Sequence, residues 1–223
     1  MGLTCAVRTG LKAKAISDLI ASNNGQERVL YIVLAATGMR VSEALALETR
    51  HFINGGRTVK VEQQVEKDCP CIMKFLKTSA AKREIDLHPD IAEFLRRYTT
   101  DKKGLLFHTK RDTPHLYNNL EDRWLTPRLI DMGLDEDGMG WHSIRRYRNT
   151  WLRSKRTQED ILKYWMGHRP EDMSGLYSHL HEELGSRLEE AERVGYGFGL
   201  PQAVIAPNAP RKSVGKSKHE IAA

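Results

Sequence analysis

Four short segments of the chain carry the side chains that are best suited to chemistry. In the first an arginine follows a glycine break, and in the second a lysine precedes a strand-like run. The third holds a histidine and an arginine three residues apart, and in the fourth a tyrosine follows a histidine by nine residues. In chain order these candidate site residues are Arg40, Lys77, His142, Arg145, His168 and Tyr177.

These residue types suit chemistry at a phosphate group. On a helix, His142 and Arg145 project from one face and can contact one anion. Arg40 supplies a second guanidinium, and two guanidinium forks stabilise the extra negative charge of a pentavalent phosphoryl transition state. Lys77 in a turn can protonate a leaving oxygen, and the Tyr177 hydroxyl can act as a nucleophile. Because no carboxylate cluster resembles a magnesium site, we expect arginines to do the electrostatic work that metals do in many nucleases.

Each of these features has an ordinary explanation when it stands alone. A single arginine on a helix is usually a solvated charge, and a histidine such as His142 can be a capping residue. Tyr177 can equally be a core residue of an amphipathic helix, and a Lys-Thr pair in a turn carries little information. The hypothesis of one shared site therefore depends on the order and spacing of all four segments.

Helices have to position most of these residues. Residues 52–65 contain a Gly55-Gly56 turn signal between two short β-like runs, and residues 71–77 and 83–87 are predicted as two more strands. We therefore expect an α+β fold, mainly helical with one small antiparallel sheet. Periodic apolar residues predict helices over 13–22, 26–36, about 40–47, a stretch after Pro89, 116–131, 142–154, 158–166, 173–180 and 182–194.

The composition favours a folded protein with a polyanionic partner. Of the 223 residues, 40% are hydrophobic and 29% are charged, which is ordinary for a globular protein. The formal net charge is +6, and residues 201–223 hold half of it, with four basic side chains against one acidic side chain. No run of about 18 apolar residues and no signal-peptide pattern occurs, so we expect a cytoplasmic protein without a membrane-spanning helix.

Taken together, the four segments resemble those of the phage-integrase, or tyrosine recombinase, family. ATGMRVSEALAL is similar to the family's first arginine box, usually close to TGLRxSELxxL, and LKTSAAKREIDL is similar to its β-hairpin lysine box. HSIRR resembles the HxLRH box, and WMGHR followed by Tyr177 resembles the closing LGH…Y box. The resemblance covers about residues 26–180, with Arg146 at a place where the family often has histidine, and it implies the catalytic-domain fold of that family.

The resemblance implies a role for each reacting residue. Tyr177 would be the nucleophile, leaving a 3′-phosphotyrosine and a free 5′-hydroxyl. Lys77 would protonate the departing 5′-oxygen, and His142 would act in proton transfer at the nucleophile. The reaction would be a transesterification that needs no cofactor.

The remaining family positions would hold the phosphate. Arg40 and Arg145 would clamp the scissile phosphate, and His168 would hydrogen-bond one of its oxygens. Glu43, where the family also has glutamate, would support the arginines from behind, although an ordinary helix charge is an equally simple explanation for it.

The function implied by the resemblance is site-specific recombination or integration of DNA, as mobile elements use it. The partner would be double-stranded DNA in the nucleoid, and the protein would form a homotetramer on DNA and a monomer when free. One alternative is a DNA-binding remnant or regulator that keeps the fold without recombining DNA. A relaxase similar to type IB topoisomerases is a third possibility.

The chain divides by its pattern into three parts. Residues 1–25 are expected to be a lead-in helix and linker, residues 26–195 the catalytic domain, and residues 196–223 a basic, disordered tail. The family usually has a further helical domain before the catalytic domain, so we expect either a fragment or a reduced protein. The helix over 182–194 is expected to dock in cis or in trans through a stripe formed by Leu184, Leu188 and Ala191.

Overall fold

The computed structural model describes residues 10–74, 82–168 and 182–205. Lys77, Tyr177, the predicted helix over 173–180 and the basic residues after 205 lie outside these ranges. None of the described helices is both long and apolar enough to cross a membrane. The described helices are α1 (Ala13–Ser22), α2 (Gly25–Thr37), α3 (Val41–Leu45), α4 (Pro89–Thr99), α5 (Tyr117–Leu120), α6 (Thr126–Asp131), α7 (Trp141–Ser154), α8 (Glu159–Met166), α9 (Leu184–Val194) and α10 (Gln202–Ile205).

The strands of the described ranges form two small antiparallel sheets. In the larger sheet β2 lies between β1 and β5, and in the smaller one β3 pairs with β4. Phe52 lies opposite Val59, which confirms the predicted hairpin around Gly55 and Gly56. The strands are β1 (Phe52–Ile53), β2 (Thr58–Val61), β3 (Gln64–Val65), β4 (Ile72–Met73) and β5 (Arg83–Asp86).

The predicted single sheet is divided at Gln63, between β2 and β3. The Gln63 side chain is buried, and its amide donates hydrogen bonds to the carbonyl of Ala46 and to the carboxylate of Glu48. The chain turns at this point, so β3 does not continue along β2. The α+β class is confirmed, with two sheets in place of one.

Helix α2 forms the centre of the hydrophobic core. Its residues from Val29 to Thr37 are all buried, as expected for a helix that is apolar almost all round. α1 and α7 pack against it, and the chain leaves it at Gly38, where φ is 68°. This left-handed residue ends α2 and directs the chain into α3.

Helix α9 packs against its own chain, with a different face from the one predicted. Leu184 and Leu188 are only half-buried, so the predicted apolar stripe is wrong at these two positions. The reason is that strand β5 offers acidic side chains to this helix, and a polar face can therefore be buried against it. The buried residues of α9 are Arg187, Glu190, Ala191 and Val194.

The C-terminal segment, residues 195–205, is also packed on the protein. Phe198 and Val204 are buried, and the Tyr147 hydroxyl of α7 donates a hydrogen bond to the carbonyl of Tyr196. The expectation of a disordered tail from residue 196 onward therefore needs correction for residues 196–205. Apolar side chains of this segment pack on the core, which its glycine- and proline-rich sequence pattern did not indicate.

Candidate active site

Arg40 stands immediately before α3, where the glycine break ends α2. A Cβ atom on Gly38 would lie 3.0 Å from side-chain atoms of Arg148 and Met166, so both φ and space favour glycine at this position. Glu43 accepts a hydrogen bond from the Arg40 backbone N–H at 2.8 Å and another from Arg40 Nη1 at 3.0 Å. The Arg40 side chain is 43% exposed. It is therefore anchored at one nitrogen and open to a ligand.

Glu43 also binds a second arginine, Arg83 at the start of β5. Arg83 Nη2 lies 2.9 Å from Glu43 Oε2, and Nη1 lies 3.2 Å from Oε1. Both side chains are almost fully buried. Arg83 Nε donates to the carbonyl of Trp165 in α8 at 2.8 Å. One carboxylate and one guanidinium thus connect α3, β5 and α8.

The Glu43 carboxylate is ionised at neutral pH in spite of its burial. Burial alone would raise the pKa of Glu43, but the hydrogen bonds and positive charge of Arg83, followed by those of Arg40, lower that pKa below its ordinary value. The pair is therefore a true ion pair inside the protein.

Arg145 is held by the ends of two helices. It lies in α7 and is 7% exposed. Its Nη1 donates to the carbonyl of Gly38 at 2.6 Å and its Nη2 donates to the carbonyl of Met166, two groups that have no helical partner of their own. Burial, together with repulsion from Arg40 and Arg83, lowers the pKa of Arg145 to about 10. The guanidinium stays charged at neutral pH.

His142 and His168 lie at the surface beside the arginines. His142 is in the first turn of α7, and His168 follows Gly167, whose φ of 63° ends α8. Partial desolvation and then nearby guanidinium charges, above all that of Arg145, lower the pKa of both imidazoles. Both rings are therefore neutral at pH 7 when no anion is bound, and a neutral ring can accept a proton.

An open cleft of about 600 Å³ continues from Arg40 and the first turn of α7. The β3–β4 hairpin forms one of its walls. Lys67 and Arg146 line it as further cations, and Glu66 and Glu121 line it as carboxylates. The cleft gives an extended ligand access to the Arg40 guanidinium.

The structure describes four of the six predicted site residues and brings them together. Arg145 makes the connection, since it binds the carbonyl two residues before Arg40 and the carbonyl two residues before His168. Lys77 and Tyr177 lie outside the described residues. The roles of all six in a reaction remain predictions.

Arg83 also contributes to the site, although the lysine box in which it lies gave it no predicted role. It shares one face of β5 with Ile85, which is fully buried. A charged residue on the buried face of a strand was the sequence signal from which a role for Arg83 could have been predicted. With Arg40 and Arg145 it forms what we call the arginine cluster.

Comparison with known proteins identifies the family. The model of the phage integrase family matches residues 10–183, which is most of the chain. The chain belongs to the phage integrase family. This confirms the resemblance that the four sequence segments indicated.

Two relatives in this family match most of the chain. The tyrosine recombinase XerH of Helicobacter pylori is 25% identical over 184 residues, covering 79% of this chain and 46% of XerH. The integrase of Staphylococcus phage L54a is 23% identical over 200 residues, covering 78% of this chain and 56% of that integrase. The chain spans about half the length of the curated relatives it matches.

Solved structures of integrases and recombinases share the fold. The Tn1549 transposon integrase in complex with circular intermediate DNA superposes with a TM-score of 0.60 at 18% identity, over 86% of this chain and 69% of that chain. XerH bound to its difH substrate gives a TM-score of 0.55 at 22% identity, over 82% of this chain and 53% of that chain. The predicted catalytic-domain fold is confirmed.

Proposed function

We propose that this protein is a site-specific recombinase that breaks and rejoins double-stranded DNA through a phosphotyrosine intermediate on Tyr177. The observation that carries the proposal is the way Arg40 and Arg145 are held. Each guanidinium is fixed by protein acceptors, and neutral histidines lie beside them. Such preorganised donors stabilise negative charge that develops on a phosphate.

The charge balance of the cluster suits a phosphodiester. The cluster holds three guanidinium groups, on Arg40, Arg83 and Arg145, and the carboxylate of Glu43 binds the first two of them. Arg145 is bound by neutral carbonyls, so its charge is not cancelled within the protein. A net positive site attracts the phosphate in the ground state and stabilises the transition state more strongly, because that state carries one more negative charge.

We propose the following reaction from the roles that the family resemblance implies. The Tyr177 oxygen forms a bond to phosphorus as the bond to the 5′-oxygen breaks. His142, neutral before the reaction, takes the phenol proton, and Lys77 gives a proton to the departing 5′-oxygen. Arg40 and Arg145 donate hydrogen bonds to the nonbridging oxygens. The reverse sequence with a 5′-hydroxyl from another strand rejoins the DNA and frees the tyrosine.

The named relatives support DNA as the partner. Two solved structures with this fold are complexes with DNA, one of a transposon integrase and one of XerH with its difH substrate. By extension we propose that this protein acts on DNA in the cytoplasm, is monomeric when free and assembles as a tetramer on its DNA sites.

A nicked suicide substrate tests the proposal. The fragment beyond the cleavage site diffuses away after cleavage, so a covalent protein–DNA adduct accumulates and is seen as a shifted band on a denaturing gel. We expect the adduct to form with excess chelator present, because guanidinium groups stabilise the charge. Arg145→Ala is expected to reduce the rate by at least about a hundredfold.

Two results would oppose the proposal. DNA binding without any adduct would favour the remnant or regulator. Adducts that need added magnesium would show that the charge is stabilised in another way.

A further inference from the structure

A second buried arginine network lies on the side of β5 that faces α9. Arg187, in the first turn of α9, has a side chain only 4% exposed. Its Nε lies 2.8 Å from Asp86 Oδ2, and its Nη2 lies 2.7 Å from Glu84 Oε2. The guanidinium also lies 5.4 Å from the centre of the Tyr164 ring. The helix is thus fixed to Glu84 and Asp86, two positions on the same face of one strand.

Asp86 is the shared acceptor of this network. Its side chain is fully buried, and it accepts hydrogen bonds from Trp165 Nε1 at 3.0 Å and from the Thr58 hydroxyl at 2.7 Å. Trp165 belongs to α8. Asp86 therefore connects the end of α8 and the beginning of α9 to the same strand.

The same strand also carries Arg83 of the arginine cluster. Arg83 binds the carbonyl of Trp165 and the carboxylate of Glu43. Strand β5 thus fixes α8, α9 and the phosphate-binding groups relative to one another. The chain between α8 and α9 therefore starts and ends at helix termini that β5 holds in place relative to the arginine cluster.

Tyr177 lies in the chain between these two points. It follows His168 by nine residues and precedes Arg187 by ten. We propose that Arg187 is a positioning residue which, through Asp86 and Glu84, fixes the start of α9 and thereby one end of the chain segment that carries Tyr177. This inference rests on the proposed function, in which Tyr177 is the nucleophile.

The ion pairs of Arg187 fix the orientation of α9 more closely than apolar packing does. Ala191 and Val194 already hold the second half of α9 in the core. Apolar contacts of that kind tolerate small rotations and shifts, whereas a guanidinium fork bound to two carboxylates fixes both orientation and register. Arg187 lies in the first turn of α9, the end of the helix that is nearer to Tyr177 in sequence.

The variant Arg187→Met removes the fork and keeps the length of the side chain. We expect adduct formation at saturating DNA to slow by roughly ten- to a hundredfold, because a misplacement of about 1 Å has effects of this size. The DNA concentration for half-saturation should not change. Arg193→Met is the matched control, since Arg193 is on the same helix, is half exposed and binds Glu190 of that helix.

A second variant guards against a general loss of folding. In Arg187→Met with Asp86→Asn neither member of the pair leaves an unpaired buried charge. The amide oxygen can still accept from Trp165 or Thr58. Circular dichroism establishes that each variant is folded, and the double variant should show the same slow adduct formation.

An external nucleophile separates positioning from damage to the site. In the Tyr177→Phe background, hydrogen peroxide can take the place of the phenol: a peroxide oxygen bonds to phosphorus as the protonated 5′-oxygen leaves. This cleavage needs the arginine cluster but no tyrosine. We expect Arg187→Met to leave peroxide-dependent cleavage within about twofold of its rate in Tyr177→Phe alone, although it slows the tyrosine-dependent reaction.

The outcomes are distinct. Loss of tyrosine-dependent cleavage with retention of peroxide-dependent cleavage supports the positioning role. An equal loss of both would mean that Arg187 only stabilises the site, and no loss of either would mean that it has no part in the reaction. Covalent adducts that persist in Tyr177→Phe would instead overturn the proposed function on which the inference rests.

Discussion

At the scale of single residues, the arginine cluster depends on Glu43. Its carboxylate binds Arg40, which is open to a ligand, and Arg83, which is buried. Arg145 needs no carboxylate because carbonyls at two helix ends hold it. Carboxylates that fix an arginine also cancel its charge, whereas carbonyl groups fix it and leave the charge in place. The cluster uses both kinds of acceptor and therefore keeps an excess of positive charge in a fixed geometry.

Glu43→Gln tests this arrangement. The amide removes the carboxylate charge that the buried Arg83 guanidinium binds, so we expect a loss of about 3–5 kcal/mol in the free energy of unfolding. Glu62→Gln is the control, because Glu62 binds Arg50 in a partly exposed pair and its loss should cost about 1 kcal/mol or less. Urea denaturation at pH 7 measures both. Equal losses in the free energy of unfolding for the two variants would contradict the expectation that the buried Glu43 pair contributes more to stability than the Glu62 pair.

The proposed division of roles between Lys77 and Arg145 is also testable at this scale. A 5′-bridging thiol leaves without needing a proton, because its pKa is low. Lys77→Ala should therefore cleave ordinary DNA slowly and recover on the thiol substrate. Arg145→Ala should stay slow on both, because it removes stabilisation of the transition-state charge. Single-turnover rates on the two substrates give the answer, and rescue of both variants, or of neither, would exclude Lys77 as the acid.

At the scale of elements, α7 links the site to the end of the chain. Its first turns carry His142 and Arg145. Farther along, the buried Arg148 guanidinium donates to the carbonyl of Gly195 at 2.8 Å, and Trp151 Nε1 donates to the carbonyl of Val194 at 3.0 Å. The C-terminal segment thus supports the helix from which two of the proposed catalytic groups project.

Gly197→Ala is expected to disturb this support. A Cβ atom on Gly197, where φ is 78°, would lie 2.4 Å from the Trp151 ring, so backbone or ring has to shift. We expect a loss of about 1–3 kcal/mol in the free energy of unfolding. Gly185→Ala in α9 is the control, because nothing lies within 4 Å and alanine favours a helix by about 1 kcal/mol. Urea denaturation curves that coincide for the two variants would contradict the contact.

Sequence patterns predicted most of the elements for a physical reason. Apolar periodicity reports which face of a helix is buried, and α1, α2 and α7 follow it closely. Polar contacts between distant residues leave no such pattern. Arg187 resembles a solvated helix charge until its partner Asp86, 101 residues away, is known. The same holds for Arg83, whose role depends on a carboxylate in α3.

The division of the sheets escaped prediction for a similar reason. A strand pattern indicates that residues are extended but not which strand lies beside them. The inward turn of Gln63 depends on acceptors provided by Ala46 and Glu48. Six site residues were proposed from residue types, order and spacing together with the family resemblance, and the structure describes four of them.

At the scale of the whole molecule, the packing of α9 changes what a truncation would do. Removing residues 182–223 would take away Arg187, Ala191 and Val194, which are buried in the same chain. Such a protein is expected to lose stability, so the truncation cannot test the proposed assembly on DNA by itself. The role of this region in assembly is better examined with surface variants of the intact chain.

The central claim is that Tyr177 of this chain becomes covalently joined to DNA. The adduct from the suicide substrate is digested with protease and nuclease, and the peptide that carries the nucleotide is sequenced by mass spectrometry. The proposal predicts a single modified peptide, with the phosphate on Tyr177 and no adduct from Tyr177→Phe. A nucleotide on Tyr164 or Tyr196 instead, or an adduct that survives the substitution, would contradict it.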